Sequence, residues 1–154
     1  MLAESQTGLS SVHRRSHSDS GFNRKNQEYH SMKLAIFILS DPKNGDEATG
    51  RVFNALATAA EALAAGDQVE IVFQGAGTRW PKELTQLSHP ANGLYNAVRP
   101  AVVGASCGCA AVFGSTADVK GCGLAEIKDH ALPGTPGLAS FRRYLVDGWS
   151  TLLF

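Results

Sequence analysis

Two cysteines separated by one residue, Cys107 and Cys109, are the side chains of this 154-residue chain that point most directly to chemistry. They lie in the segment GASCGCAAVFG (104–114), where an apolar run that predicts a strand gives way to a predicted helix. A thiol at such a turn faces the unpaired N–H groups of the helix start, whose partial positive charge favours the thiolate. Because the thiolate is the form that attacks sulfur, we predict sulfur chemistry here, with Cys109 and Cys107 as the candidate catalytic residues.

The three cysteines of the chain also allow interpretations without catalysis. A zinc site could use Cys107, Cys109, Cys122 and His130, but structural zinc sites usually contain two pairs of ligands spaced by two to four residues. This chain has one pair with a gap of a single residue, so we predict no metal site. Cysteine is also often buried as a small hydrophobic residue without a chemical role. We favour that role for Cys122, which lies between two glycines, and it stays open for the other two.

The composition indicates a globular domain and excludes several partners. Hydrophobic residues make up 44% of the chain and charged residues 18%, a balance typical of domains that fold without disulfides. A formal net charge of +0 argues against an extended phosphate-binding face, so we predict no nucleic-acid partner. No apolar run approaches the roughly 20 residues that span a bilayer, so we predict no membrane partner either. An odd number of clustered cysteines favours a reducing cytoplasm.

Residues 1–31 differ in character from the rest of the chain. They are rich in Ser, His, Arg, Asn and Gln and poor in apolar residues, so they cannot bury enough surface to offset their ordering entropy. We therefore predict a disordered tail over 1–31 and one folded domain over 32–154. Three of the five histidines lie in this tail without the spacing of metal ligands. We favour either a simple tail or translation that starts at Met32.

Apolar runs and helical spacing alternate along residues 32–154. The runs predict strands at 34–39, 69–73, 101–105, 124–127 and 149–154. The first of them is continuously apolar, which is typical of a strand buried on both faces of a parallel sheet. Strands that alternate with helices predict right-handed crossovers and a three-layer α/β/α domain with a five-stranded, mainly parallel sheet.

The helices that connect these strands have recognisable start and stop signals. We expect a long helix capped by Asp46 and ended by Gly66, with its apolar face formed by Val52, Leu56, Ala59 and Leu63. Shorter helices are predicted after Pro81 with Leu84 and Leu87, from Pro90 with Leu94, Tyr95 and Val98, and from about Cys109. The last predicted helix begins at Thr135-Pro136, carries Leu138, Phe141 and Leu145, and ends at Gly148.

Ligands of open α/β sheets gather at the carboxyl ends of the strands, which selects three loops: 40–46, 75–80 and 106–110. The candidate substrate-binding residues in these loops are Ser40, Asp41, Gly75, Gly77, Trp80, Gly108 and Ala110. The three carboxylates of the first loop region would repel a phosphate, and Pro81 occupies the third glycine position of a dinucleotide fingerprint. We therefore predict no nucleotide cofactor. His89, which precedes Pro90, could orient a thiol or cap a helix, and we favour the capping role.

Five segments together resemble the DsrE/DsrF-like family, which includes sulfur-relay subunits of the TusD type. They are MKLAIFILSD (32–41), QGAGTRW (74–80), HPANGLYNAV (89–98), ASCGCAAVFG (105–114) and GTPGLASFRRYLVDGWSTLLF (134–154). The resemblance covers residues 32–154. It implies a five-stranded parallel sheet and assembly into trimers or hexamers. For some members it also implies a cysteine that carries persulfide sulfur between proteins.

By its position relative to Phe113 and Gly114, Cys109 matches the reactive cysteine of that family. The first hypothesis is therefore a cytoplasmic sulfur carrier or sulfurtransferase-like protein whose partners are sulfur-donor or sulfur-acceptor proteins. Cys109 would take up sulfane sulfur, Cys107 would be a resolving or assisting thiol, and the N–H groups of residues 108–111 would stabilise the thiolate. No cofactor is needed, because the persulfide itself is the cargo.

Two other functions compete with this hypothesis. One is a non-catalytic oligomeric binding module, whose strand-end cleft with Trp80, Tyr95 and residues 75–77 would hold a small ligand or a partner loop. In that module the cysteines are packing residues. The other is a redox sensor that forms a reversible disulfide between Cys107 and Cys109, although a ring between residues so close together is tight and strained.

Overall fold

A parallel β-sheet of five strands organises the chain. The computed structural model describes residues 31–154, so the predicted tail, apart from Ser31, lies outside the described residues. The strands are β1 (Lys33–Ile38), β2 (Gln68–Phe73), β3 (Val102–Ser106), β4 (Glu126–Ile127) and β5 (Ser150–Leu153). Their order across the sheet is β4-β3-β2-β1-β5, and every pair of neighbours is parallel. The predicted α/β class and parallel sheet are confirmed.

Short helices connect the strands. The described α-helices are α1 (Asp46–Ala64), α2 (Trp80–Leu84), α3 (Asn92–Val98), α4 (Cys107–Val112), α5 (Thr116–Gly121) and α6 (Phe141–Val146). Three 3-10 turns, Pro42–Asn44, Gly75–Arg79 and Arg99–Ala101, precede α1, α2 and β3 respectively. No helix within residues 31–154 has both the length and the apolar character needed to cross a membrane.

Strand β1 is buried on both faces, as its unbroken apolar sequence predicts. Ile36 and Ile38 belong to the larger core, which α1, α2 and α3 cover on the front face of the sheet. Phe37 points to the back face, where it packs against Phe141 and Tyr144. The order of β1 to β4 runs in one direction, so right-handed crossovers place α1 to α5 in front. The return to β5 places α6 behind.

Helix α1 confirms most of its predicted pattern. Val52, Leu56 and Ala59 are fully buried and the helix is followed by Gly66 at φ +87°, the left-handed conformation expected of a helix stop. Two details were wrong. Leu63 is exposed rather than part of the apolar face. Asp46 is the first helical residue and Gly45 is the cap, so the carboxylate acts in the first turn, where it interacts favourably with the helix dipole.

The helix predicted from Thr135-Pro136 is absent, which corrects the expectation for this segment. Helix α6 begins later, at Phe141, and the Ser140 hydroxyl caps it by accepting the N–H of Arg143 at 3.2 Å. Leu138 instead forms an antiparallel bridge with His130. Gly137, at φ +108°, is incompatible with a helical turn at this point. The predicted helix after Pro81 is also shorter than expected, because α2 ends at Leu84 and Leu87 is exposed.

A polar network fastens α6 to the back of the sheet. The Tyr144 hydroxyl donates to Glu70 Oε2 at 2.5 Å, and Arg143 bridges Glu70 and Asp129. Burial, and then the hydrogen bond to Glu70, raise the pKa of Tyr144 well above its usual value. The neutral phenol is therefore part of the folded structure.

The Tyr144 phenol should make the stability depend on pH in the alkaline range. Its pKa is raised by folding, so the unfolded chain loses this proton first and the free energy of unfolding must fall as pH rises above about 10. Replacing Tyr144 by Phe should make that slope shallower by up to about 1 kcal/mol per pH unit. Urea denaturation at several pH values from about 8 to about 11.5 measures both slopes. Parallel slopes for the parent and Y144F would contradict the assignment.

Candidate functional site

The carboxyl ends of the five parallel strands lie along one edge of the sheet, and the three predicted loops meet there. Two distinct features occupy this edge. One is the junction of β3 with α4, which carries the neighbouring cysteines. The other is an open polar cavity in front of it, which we call the polar cleft and define below.

Cys107 is the first residue of α4 and is 4% exposed. Its thiol donates to Glu126 Oε1 on the neighbouring strand β4 at 3.4 Å. Burial, followed by the hydrogen bond to Glu126 and the charge of that carboxylate, raises the pKa of Cys107. At neutral pH Cys107 is therefore a protonated thiol, the opposite of the thiolate that its position at a helix start predicts.

Cys109 lies in the same helix but is half-buried rather than buried. Residues two apart in a helix are about 200° apart around its axis, so they do not face each other. A Cys107–Cys109 disulfide would require α4 to unwind, and the structure has all three cysteines as free thiols. This geometry gives no support to the redox-sensor hypothesis.

Gly108 and Ala110 are placed in packing at this junction. The Gly108 N–H donates to the Gly137 carbonyl at 2.7 Å, so that donor is not available to a thiolate. A Cβ at Gly108 would lie 2.9 Å from the Gly137 carbonyl oxygen and 2.6 Å from Leu138 Cδ2, so any larger residue would force the backbone at Gly137 to shift. Ala110 is fully buried in the front core. Of the N–H groups predicted to stabilise a thiolate, the first is thus already paired.

The polar cleft is a cavity of about 510 Å³. It is lined by Pro42, Lys43, Thr49, Arg79, Trp80, Lys82, Glu83, His89, Phe113, Gly114 and Asp118. Its walls come from the loop after β1, the segment after β2, and the turn after α4. The cysteines are not among its lining residues, so the structure separates two sites that the sequence pattern treats as one.

Hydrogen bonds between the three loops hold the cleft open. Arg79 Nη1 contacts Asp41 Oδ2 at 2.5 Å, and Arg79 Nε donates to the Phe113 carbonyl at 3.1 Å. Trp80 Nε1 donates to the Ser40 carbonyl at 2.8 Å. Arg79 therefore joins the ends of β1 and α4. Two of the predicted binding residues, Asp41 and Trp80, are engaged in these hydrogen bonds and so fix the loops around the cleft instead of projecting freely into it.

The remaining predicted residues have different surroundings. Ser40 lines a second cavity of about 330 Å³ beside α1, and its buried hydroxyl has no hydrogen-bond partner within residues 31–154. Gly75 adopts φ +57° in the turn after β2. Tyr95, assigned to the cleft by the binding-module hypothesis, is a residue of α3 that is fully buried in the front core and lies outside the lining.

Sequence reasoning missed the charged residues of the cleft. Lys43, Arg79 and Lys82 bring cationic groups to it, and Lys82 pairs with Asp118 at 3.1 Å. The segment QGAGTRW contains Arg79, but only the fold shows that its partner is Asp41, 38 residues earlier. His89 Nδ1 accepts the N–H of Ala91 at 3.2 Å in the turn before α3. Helix α3 itself begins at Asn92 without a side-chain cap, so the expected capping role of His89 is wrong. The bond to Ala91 leaves Nε2 of this lining residue as the other hydrogen-bonding atom.

These features define an α/β protein with an all-parallel sheet and a polar cleft beside a cysteine-bearing turn. Comparison with protein-family models, with curated proteins and with solved structures finds no match. The resemblance to the DsrE/DsrF-like family therefore stays a prediction. Within residues 31–154, no group of three or more His, Cys, Asp or Glu side chains is arranged to hold a metal ion.

Gly77 lies where the segment after β2 packs directly against the backbone at the end of β1. A Cβ at this position would lie 2.0 Å from the Ile38 carbonyl oxygen, a backbone atom that cannot move aside. Replacing Gly77 by Ala should destabilise the protein by about 2 kcal/mol or more, measured by urea denaturation.

Gly50 supplies the matched control. It lies within α1, and a Cβ added there would have no other atom within 4 Å, so the same substitution should stabilise the protein by about 0.5–1 kcal/mol. Equal effects of the two substitutions would show that the close approach of Gly77 to β1 does not matter.

Proposed function

We propose that the protein is a sulfur carrier that holds sulfane sulfur as a persulfide on Cys109. The observation that carries this proposal is the contrast between the two neighbouring thiols. Cys109 is half-buried at the carboxyl edge of the sheet, whereas Cys107 is 4% exposed and bonded to Glu126. Cys109 is thus the more accessible of the two residues to a partner protein. The resemblance to DsrE/DsrF-like proteins points to the same residue.

The transfer step needs only the two sulfur centres. The Cys109 thiolate attacks the outer sulfur of a donor persulfide, a new S–S bond forms, and the donor S–S bond breaks. The donor leaves as a thiolate, which takes up the proton that Cys109 released. Cys109 thiol and donor persulfide become Cys109 persulfide and donor thiol, so no external oxidant or reductant is consumed and no cofactor is required.

Cys107 has a different role in this proposal from the one its sequence position predicts. A neutral thiol is a poor nucleophile, and a side chain on the other side of α4 does not reach the Cys109 sulfur. While α4 stays folded, Cys107 therefore neither resolves nor assists the transfer.

Site-resolved mass spectrometry tests the proposal directly. After exposure to a small persulfide donor, the peptide with Cys109 should gain the mass of one sulfur, and replacing Cys109 by Ser should reduce total uptake at least tenfold. The Cys122→Ser variant is the control, because Cys122 is also half-buried but follows α5 instead of a strand. If C109S takes up as much sulfur as C122S, Cys109 is not the carrier.

A second candidate function is a non-catalytic binding module that uses the polar cleft. The specific observation in its favour is the set of charged side chains that line a cavity of about 510 Å³ without contributing to the core. Such a cavity suits a small polar ligand. Absence of sulfur uptake at every cysteine in the experiment above would favour this function over the first.

We also propose that the chain forms a homo-oligomer, a trimer or hexamer as the family resemblance implies, and works in the cytoplasm, where thiols stay reduced. Leu145 and Val146 of α6 are 61% and 65% exposed, and Leu153 on the adjacent edge strand β5 is 56% exposed. Apolar side chains clustered in this way mark contact surfaces.

Sedimentation analysis tests the assembly and its surface. The parent should sediment as an oligomer, and Leu145→Asp should shift it towards the monomer. Leu87→Asp is the control, because Leu87 is 92% exposed on the front of the molecule, away from α6. A monomeric parent at micromolar concentration would contradict the assembly, and an L145D oligomer would contradict this surface.

A further inference from the structure

The segment that connects β4 to α6 crosses the junction of β3 and α4. We call residues 128–140 the strap. The Ala139 N–H donates to Ser106 Oγ at 3.2 Å, and the Gly137 carbonyl accepts the Gly108 N–H at 2.7 Å. These two bonds lie on either side of Cys107 in the sequence. The strap therefore contacts the junction at the two residues that flank Cys107, which is itself 4% exposed.

Few interactions hold the strap to the cysteine turn, and its other anchor is the ion pair of Asp129 with Arg143 of α6 at 3.2 Å. Within it only Gly137 and Ala139 are buried, and residues 128–134 are all exposed. Its two arms are joined to each other by the His130–Leu138 bridge and by the bond from the Ser140 N–H to Asp129 Oδ2 at 3.0 Å. Segments with little buried surface and few anchoring bonds open at a much lower free energy than the global unfolding of a domain.

The two ends of the strap, around residues 129–130 and 138–140, are bonded to each other and can therefore move together. The bridge and the Asp129 bond close it into a loop that does not need the sheet for its internal pairing. Gly134 and Gly137, at φ +78° and +108°, supply the backbone freedom at its tip and at its contact with α4. What ties this loop to the cysteine turn is the pair of bonds to Ser106 and Gly108, together with the contact of Leu138 over Gly108.

We propose that the strap opens as a local unit and that its opening converts Cys107 from a covered thiol into a second reactive thiol. Opening admits solvent to the sulfur and frees the Gly108 N–H beside it. Glu126, already within hydrogen-bond distance of the sulfur, lies next to Lys120 at 3.7 Å and is the neighbouring acceptor for the thiol proton. This device does not depend on whether Cys109 carries sulfur.

The rate of thiol alkylation by iodoacetamide tests the strap. The full chain with Cys109→Ser and Cys122→Ser retains Cys107 as its single cysteine. We expect its alkylation to be at least a hundredfold slower than that of the urea-unfolded chain. The rate should be nearly independent of urea below the unfolding transition, because local opening exposes little surface.

Removing one fastening bond should increase this rate. Ser106→Ala deletes the acceptor of the Ala139 N–H, and we expect alkylation about tenfold faster. Ser140→Ala is the matched control: it also removes one serine hydroxyl bond, but the bond caps α6 and does not hold the strap to the cysteine turn. Its alkylation rate should change less than twofold.

Leu138→Ala provides a second route if the buried Ser106 position does not tolerate substitution. It removes the side chain that lies over Gly108 while leaving every backbone donor paired, and alkylation should again accelerate. Three results would overturn the proposal. They are alkylation of the closed protein as fast as that of the unfolded chain, a urea dependence equal to that of global unfolding in every variant, or equal acceleration by S140A.

Discussion

Burial of β1 on both of its faces is the constraint on which the rest of the structure depends. A strand with Ile36 and Ile38 on one side and Phe37 on the other must be covered by helices in front and behind. Parallel neighbours then follow, because each connection has to cross a face of the sheet. Every strand consequently ends at the same edge, which is where the cleft and the cysteine turn both lie.

The fold could be predicted well from local sequence, and its largest error has an identifiable physical cause. Strands β1 and β2 are recognisable because their apolar runs report burial directly, whereas β5 is recognisable as an apolar run although it is largely exposed. The helix expected from Thr135-Pro136 was wrong, although the local signals for a cap and a first turn are good. There, the backbone of Gly137 and Ala139 pairs with Gly108 and Ser106 instead, so tertiary hydrogen bonds outweigh local preference.

The site could be predicted less completely, since its chemistry depends on neighbours that are distant in sequence. The strand-end position of Cys107 and Cys109 follows from the alternation of strands and helices. The hydrogen bond from Cys107 to Glu126 could not be predicted in this way. Strand β4 has only two residues, and its side chains reach β3 only through the pairing of Ala105 with Glu126. The cleft likewise depends on the contact of Arg79 with Asp41, which no spacing rule contains.

The different surroundings of the two thiols also bear on how a carrier could keep its cargo. A persulfide on Cys109 can be lost if a neighbouring thiolate attacks its inner sulfur, which forms a Cys107–Cys109 disulfide and releases hydrogen sulfide. Two features of the closed structure oppose that reaction: Cys107 is kept protonated by burial and Glu126, and the helix separates the sulfur atoms by about 200° of rotation. The short spacing of Cys107 and Cys109 resembles a redox pair in sequence. In the folded chain, however, Cys109 is half-buried and Cys107 is buried, and their side chains point in different directions. The strap and β4 maintain this difference, so the stability of this edge of the sheet and the retention of sulfur would be governed by the same few hydrogen bonds.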